Sequence, residues 1–145
     1  MTAEQNADLI RAFVAECVNG DRPEVLDRLV ADDVRVHPGT TGSGPSTAGV
    51  SALREAFVRF HEAFPDLRIG LDDVIAAGDR VAARWTAQGT HRSSFLGIAA
   101  TGNQVRWGGT DVYRLADGRV AEWWRNDDLV ELLRQLGHDV LAAPP

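Results

Sequence analysis

The segment Glu122-Trp123-Trp124-Arg125-Asn126-Asp127-Asp128 sets two indoles, a guanidinium and a run of acidic groups side by side. Read as a strand, it turns Trp123, Arg125 and Asp127 to one side and Glu122, Trp124 and Asn126 to the other, because successive side chains alternate. An indole next to a guanidinium suits a cavity wall better than a sealed core. The same alternation in two preceding extended stretches adds Trp85, Ala87, Gly89 and His91, then Trp107, Gly109, Asp111 and Tyr113, with Ala121 ahead of Trp123. That face collects three of the four tryptophans and the one tyrosine, separated by Gly and Ala positions that leave room. It also carries Asp111 and Arg125. Burying a charge is costly unless it is paired, so these two residues imply either a ligand site or an internal ion pair that ties two strands together.

Two chemistries fit such a face. In one, Arg125 lowers the pKa of Asp111 and keeps it ionised, Asp111 takes a proton from an activated carbon or hydroxyl, and Arg125 or His91 stabilises the oxyanion that develops. In the other no proton moves: the aromatic cavity folds a polyene into a reactive conformer, and ring closure follows from orientation. The candidate catalytic residues are therefore Asp111, Arg125 and His91. Trp85, Trp107, Tyr113, Trp123, Phe57, Phe60 and His37 are the candidate substrate-binding residues.

Several classes of chemistry find no support. All 15 basic residues are arginines, so Schiff-base chemistry and the lysine of a phosphate-binding loop are excluded. No two histidines stand at metal-ligand spacing, and no Cys/His cluster exists, so no metal is expected. No Gly-x-Gly-x-x-Gly follows a strand, so no nucleotide cofactor is expected either. Ser93 and Ser94 follow His91 closely but lack a nucleophile elbow. Cys17 falls on an apolar helical stripe and reads as an inert core thiol. His61 reads as half exposed and His138 as a surface residue. The formal charge of −6, with arginines spread along the chain, argues against nucleic acid. No apolar run approaches the ~20 residues of a membrane span, and the amphipathic N-terminus lacks a basic start, so a cytoplasmic protein without a membrane partner is expected.

The elements that must position these residues follow from periodicity and punctuation. Residues 1–145 are expected to form a single domain. Thr2 and Gln5 form a capping box before a helix with Ile10, Phe13, Val14 and Cys17 on one stripe, stopped by Gly20. Asp21 caps a second helix with Pro23 in its first turn and Val25, Leu26 and Leu29 on one side. "DVRVH" reads as a short strand, and residues 38–49, dense in Gly, Pro, Ser and Thr, as a loop that could act as a flap. Val50, Leu53, Phe57, Phe60 and Phe64 predict a third helix with an aromatic face. The period then changes to two, giving hairpins about Ala77-Gly78-Asp79 and Ala116-Asp117-Gly118. Asp128 and Glu131 open a last helix that ends at Gly137, and the "APP" tail is expected to fray. Helices followed by an antiparallel meander predict an α+β fold, with helices on one face of a curved sheet. On the opposite face, Val112 and Trp124 among Arg84, Arg106 and Arg114 suggest a two-fold contact.

The pieces "AGDRVAARW", "GTH" followed by "FLGIAATG", "DGRVAEWW" with Asp128, and "LLRQLG" resemble the SnoaL-like polyketide cyclase family, over roughly residues 5 to 137. The resemblance implies a cone-shaped α+β barrel with a curved, mostly antiparallel sheet and helices on its concave face. It also implies an apolar pocket, a homodimer, and cofactor-free ring closure of a polyketide intermediate. In that family an aspartate on the last strand acts as general acid/base, helped by a histidine on the strand before; the matching positions here are Arg125 and Asp111. A guanidinium stays protonated and cannot serve as the base, so the family's proton transfer would have to be redistributed. His91 matches the histidine of "GTH". Asp128 matches an aspartate after the tryptophan, although here it also caps a helix. The expected function is cyclisation or isomerisation of an apolar polyketide-like intermediate. The alternatives are epoxide opening, for which the matching strand offers Trp85 and Ala87 in place of an Arg and an Asp, and non-catalytic binding of a small molecule on the same fold.

Overall fold

The structure, a computed structural model, describes residues 1–20, 22–39 and 46–138. Helix α1 (Ala3–Ala12) starts at the expected capping box: the Thr2 hydroxyl accepts from the Gln5 N–H and the Gln5 side chain accepts from the Thr2 N–H. The helix then widens into a π-helical stretch, Phe13–Asn19, rather than running as one α-helix to Gly20. Hydrogen bonding from i to i+5 brings Phe13, Val14, Cys17 and Val18 together on the buried side, which an ordinary turn would splay further apart. Asn19 fixes the end of this stretch by donating to the Ile69 carbonyl and accepting from the Ile69 N–H, both at 2.7 Å. Burial pushes the Cys17 thiol up to about 11, in keeping with an inert thiol.

Helix α2 (Pro23–Leu29) has Arg22 as its N-cap, and the expected cap Asp21 lies outside the described residues. Strand β1 (Val30–His37) is longer than the predicted "DVRVH". The predicted loop 38–49 holds a two-residue strand, β2 (Thr47–Ala48), paired antiparallel with β1, while its stretch 40–45 lies outside the described residues. Helix α3 (Val50–Ala63) carries the expected apolar face. Strands β3 (Arg68–Ala77), β4 (Arg80–Thr90), β5 (Gln104–Ala116) and β6 (Arg119–Trp124) form the two hairpins. Their turns are tighter than predicted, closing at the pairs Ala77↔Arg80 and Ala116↔Arg119. Asp117 and Gly118 both take positive φ, 52° and 73°, the two-residue geometry that matches strand twist. Helix α4 (Leu129–Gln135) follows, with the Asp128 carboxylate accepting from the Glu131 N–H at 3.1 Å. The "APP" tail lies outside the described residues.

The sheet runs β2-β1-β6-β5-β4-β3. Every neighbouring pair is antiparallel except β1 and β6, which run parallel from Val30↔Val120 to His37↔Trp124. The α+β class and the mostly antiparallel sheet match expectation, but the sheet does not close on itself: β2 and β3 are its two edges. Helices complete the enclosure instead. The first helix packs on β3 and β4, α3 lies over β1, and Phe13 reaches Tyr113 and Trp123 of the sheet at ring distances of 6.1 and 5.6 Å.

Candidate active site

Between sheet and helices lies a cavity of about 410 Å3, inside the range of natural small-molecule sites. Strand alternation builds its floor. On β4 the buried residues include Val81, Ala83, Trp85 and Ala87; on β5 they include Trp107, Asp111 and Tyr113. On β6 simple alternation fails. The pairing jumps from Arg114↔Glu122 to Leu115↔Val120, so Ala121 is the bulged residue, and Val120 and Trp123 both point inward. Ala121 therefore does not share the face of Trp123 in the way that unbroken alternation predicts. Trp85, Trp107, Tyr113, Trp123, Phe57 and Phe60 all line the cavity, as do Asp111 and Arg125.

Gly109 shows why a residue without a side chain is needed on this floor. A Cβ there would stand 2.5 Å from the Asn126 carbonyl oxygen and 2.7 Å from Cζ2 of Trp85. The vacancy lets the chain after β6 cross over β5, where Asp127 bridges to Gly109, and it seats the Trp85 ring.

Asp111 is 3% exposed. Its Oδ2 accepts from the Trp123 indole N–H and its Oδ1 from the Asn126 N–H, both at 3.0 Å. Burial pushes its pKa above the ordinary 3.8; these N–H donors, the Trp85 indole and the charge of Arg125 pull the other way without prevailing. The expectation that Arg125 holds Asp111 below its ordinary value is thus reversed, because desolvation outweighs a guanidinium that is not in contact. Arg125 lies beyond the end of β6, its Nη2 is 4.0 Å from Asp127 Oδ2, and its guanidinium carbon stands 5.6 Å over the Trp123 ring. No direct Asp111–Arg125 ion pair forms.

Trp123 is held from both sides, stacked on Tyr113 at 5.4 Å and met edge-on by Phe13 and Phe57. Tyr113 is 2% exposed, and its hydroxyl has no partner among the described residues. Burial, then the charge of Asp111, pushes its pKa well above 10, so it remains a protonated donor.

Two expected site residues lie elsewhere. His91 follows the last residue of β4, where strand alternation no longer applies. It is fully buried beside Phe64, its Nδ1 accepts from the Thr101 N–H at 3.2 Å, and it is not part of the cavity wall. His37 is on the opposite face of the sheet from Val36, which does line the cavity. It donates from Nε2 to Glu122 at 2.6 Å and stacks on Trp124. The alternation Val34, Val36 in "DVRVH" already carries that signal.

The cavity also has walls that sequence reading passed over. Residues 94–96 contribute Phe95, packed edge-on against Phe60 and Phe64, and Leu96, which takes φ 50°. Arg59 of α3 reaches the cavity from the edge of the aromatic stripe, and Thr47 from β2. Among the described residues no group of His, Cys, Asp and Glu is arranged to hold a metal ion, and no helix is long and apolar enough to cross a membrane.

Comparison with known proteins bears on this geometry. The family model for SnoaL-like polyketide cyclases matches residues 8–136. No curated protein matches the chain. Among solved structures, TsrD from Streptomyces laurentii is 30% identical with a TM-score of 0.82, covering 94% of this chain and 98% of its own. IdmH from Streptomyces antibioticus, a candidate polyketide cyclase, is 33% identical with a TM-score of 0.79, covering 92% and 99%. AclR from Streptomyces galilaeus, a candidate hydroxylase, is 26% identical with a TM-score of 0.78, covering 94% and 98%.

Proposed function

Because the chain belongs to the SnoaL-like polyketide cyclase family, we propose that its cavity holds an apolar polyketide-like intermediate and closes a ring in it without a cofactor. The observation that carries this reading is Asp111, a buried carboxyl on an aromatic cavity wall whose partners are all N–H donors. A carboxylate has about four acceptor sites, so capacity remains for a proton from the substrate. Its raised pKa makes it a better base than an ordinary aspartate near neutral pH.

In this mechanism Asp111 removes a proton from a carbon next to a carbonyl. The electron pair moves onto the carbonyl oxygen, where the unpartnered Tyr113 hydroxyl donates a hydrogen bond to the growing charge. The enolate carbon then attacks an electrophilic carbon of the same chain, a carbon–carbon bond forms, and Asp111 returns the proton to the new alkoxide. Product and substrate are isomers. Trp85, Trp107, Trp123, Phe57 and Phe60 restrict the chain to conformers in which the two carbons meet. Homodimer formation and a cytoplasmic location belong to the same proposal. Light scattering that reads the mass of one chain would remove the dimer.

Deletion of the gene in its host, with mass spectrometry of what accumulates, tests the reaction. The expected compound is an uncyclised intermediate that the purified protein converts to a product of equal mass. Gain of one oxygen, the result for a hydroxylase, or of one water, the result for an epoxide hydrolase, overturns ring closure. Replacing Asp111 by Asn should then lower turnover by about 10²-fold or more. Near-native turnover in that variant would leave catalysis by orientation alone.

A further inference from the structure

We propose that the substrate carries a carboxylate, which Arg125 and Arg59 hold at the cavity mouth. The inference rests on the reading of the cavity as the substrate site. The protein as a whole bears a net charge of −6, yet its cavity wall is biased the other way. Arg59 and Arg125 line it against one carboxyl, Asp111. Two guanidiniums against one carboxylate leave the lining with a positive balance.

Arg125 is the stronger of the two observations. Its side chain is only 27% exposed, yet among the described residues it donates no hydrogen bond. Its one ion pair, to Asp127, stands at 4.0 Å, the outer limit of such contacts. A guanidinium has five N–H donors, and leaving them unmatched away from water is unfavourable. The Trp123 ring beneath it and Asp127 beside it fix its orientation without occupying its donor fork. Arg59 is exposed and has no partner among the described residues, whereas Arg54 on the same helix is bonded to Asp27 at 2.7 Å.

A planar carboxylate matches a guanidinium fork in two parallel hydrogen bonds. Because Arg125 lines the cavity and is only partly exposed, the anion it meets belongs to the guest in the cavity.

Retinoic acid and its primary amide, equal in shape and differing in charge, serve as probes. Binding to the full chain is read at pH 8 and low salt from quenching of the cavity tryptophans. The acid should bind about tenfold more tightly than the amide. Arg125→Gln should remove about tenfold of the acid's affinity and Arg59→Gln, being exposed and screened, about threefold, with amide binding unchanged. Circular dichroism verifies that both variants fold. Equal binding of acid and amide, or equal losses for both in Arg125→Gln, overturns the carboxylate site and leaves the cavity reading intact. Binding of neither probe overturns both. Displacement of the acid by pantetheine 4′-phosphate would assign the cationic mouth to a carrier arm and overturn the inference.

Discussion

At Asp111 opposing effects on one carboxyl have a definite sum, and pH reads it. Burial outweighs the indole and backbone donors, so the folded pKa lies above the unfolded 3.8. Between those two values the folded state binds more protons than the unfolded state, and this group's contribution to stability falls as pH rises through that window. A pH–rate profile should therefore show an acid limb above 3.8 that disappears in Asp111→Asn. Trp123→Phe removes a donor that favours the charged form and should move the limb to higher pH. Glu122 behaves oppositely. The His37 and Arg114 bonds hold it below its ordinary 4.5, so its stabilisation is complete above that value and is lost as pH falls through the lowered one. Denaturant melts should find Glu122→Gln weaker than the native protein at neutral pH, with the gap closing in acid. Asp111 and the aromatic side chains around it were legible from alternation alone. The loose engagement of Arg125 was not, because it lies past the strand end, where parity no longer specifies direction.

Among the elements, strands carried the clearest signal and their ends the poorest. Trp85, Trp107, Asp111 and Tyr113 sit mid-strand in long ladders, so a period of two places them correctly. His91 falls one residue beyond β4, and the bulge at Ala121 obeys no period. The π-helical stretch was hidden for a related reason: stripes written for 3.6 and for wider turns share their first few positions. The crossing over Gly109 is the element-scale feature with the sharpest consequence. Gly109→Ala must push apart the Asn126 carbonyl, the Trp85 ring and the Asp127 backbone, and should destabilise the fold by about 1–3 kcal/mol in denaturant unfolding.

For the molecule as a whole, the order of helices and hairpins was legible as α+β because each element has its own caps and turns. The parallel β1–β6 pairing and the open sheet were not, since they depend on contacts between residues far apart in the chain. A cavity bounded by helices on an open sheet should gain stability when filled. A ligand at 100 times its dissociation constant adds about 2.7 kcal/mol, seen as a rise in melting temperature. Leu53, buried on α3 and facing the cavity, offers the complementary test. Leu53→Trp should abolish ligand binding, read by tryptophan quenching, while the empty protein still unfolds cooperatively.

The parallel alignment of β1 with β6 also bears on how the chamber is made in the cell. Val30 and Val120 are partners, so this seam of the sheet waits until the chain has been made through Val120. Such distant pairing slows folding. The nascent chain must carry the apolar face of its first helix and the Trp85 and Trp107 strands uncovered until Trp123 arrives. During synthesis, more than in the finished protein, this chain should depend on chaperones that shield sticky surfaces.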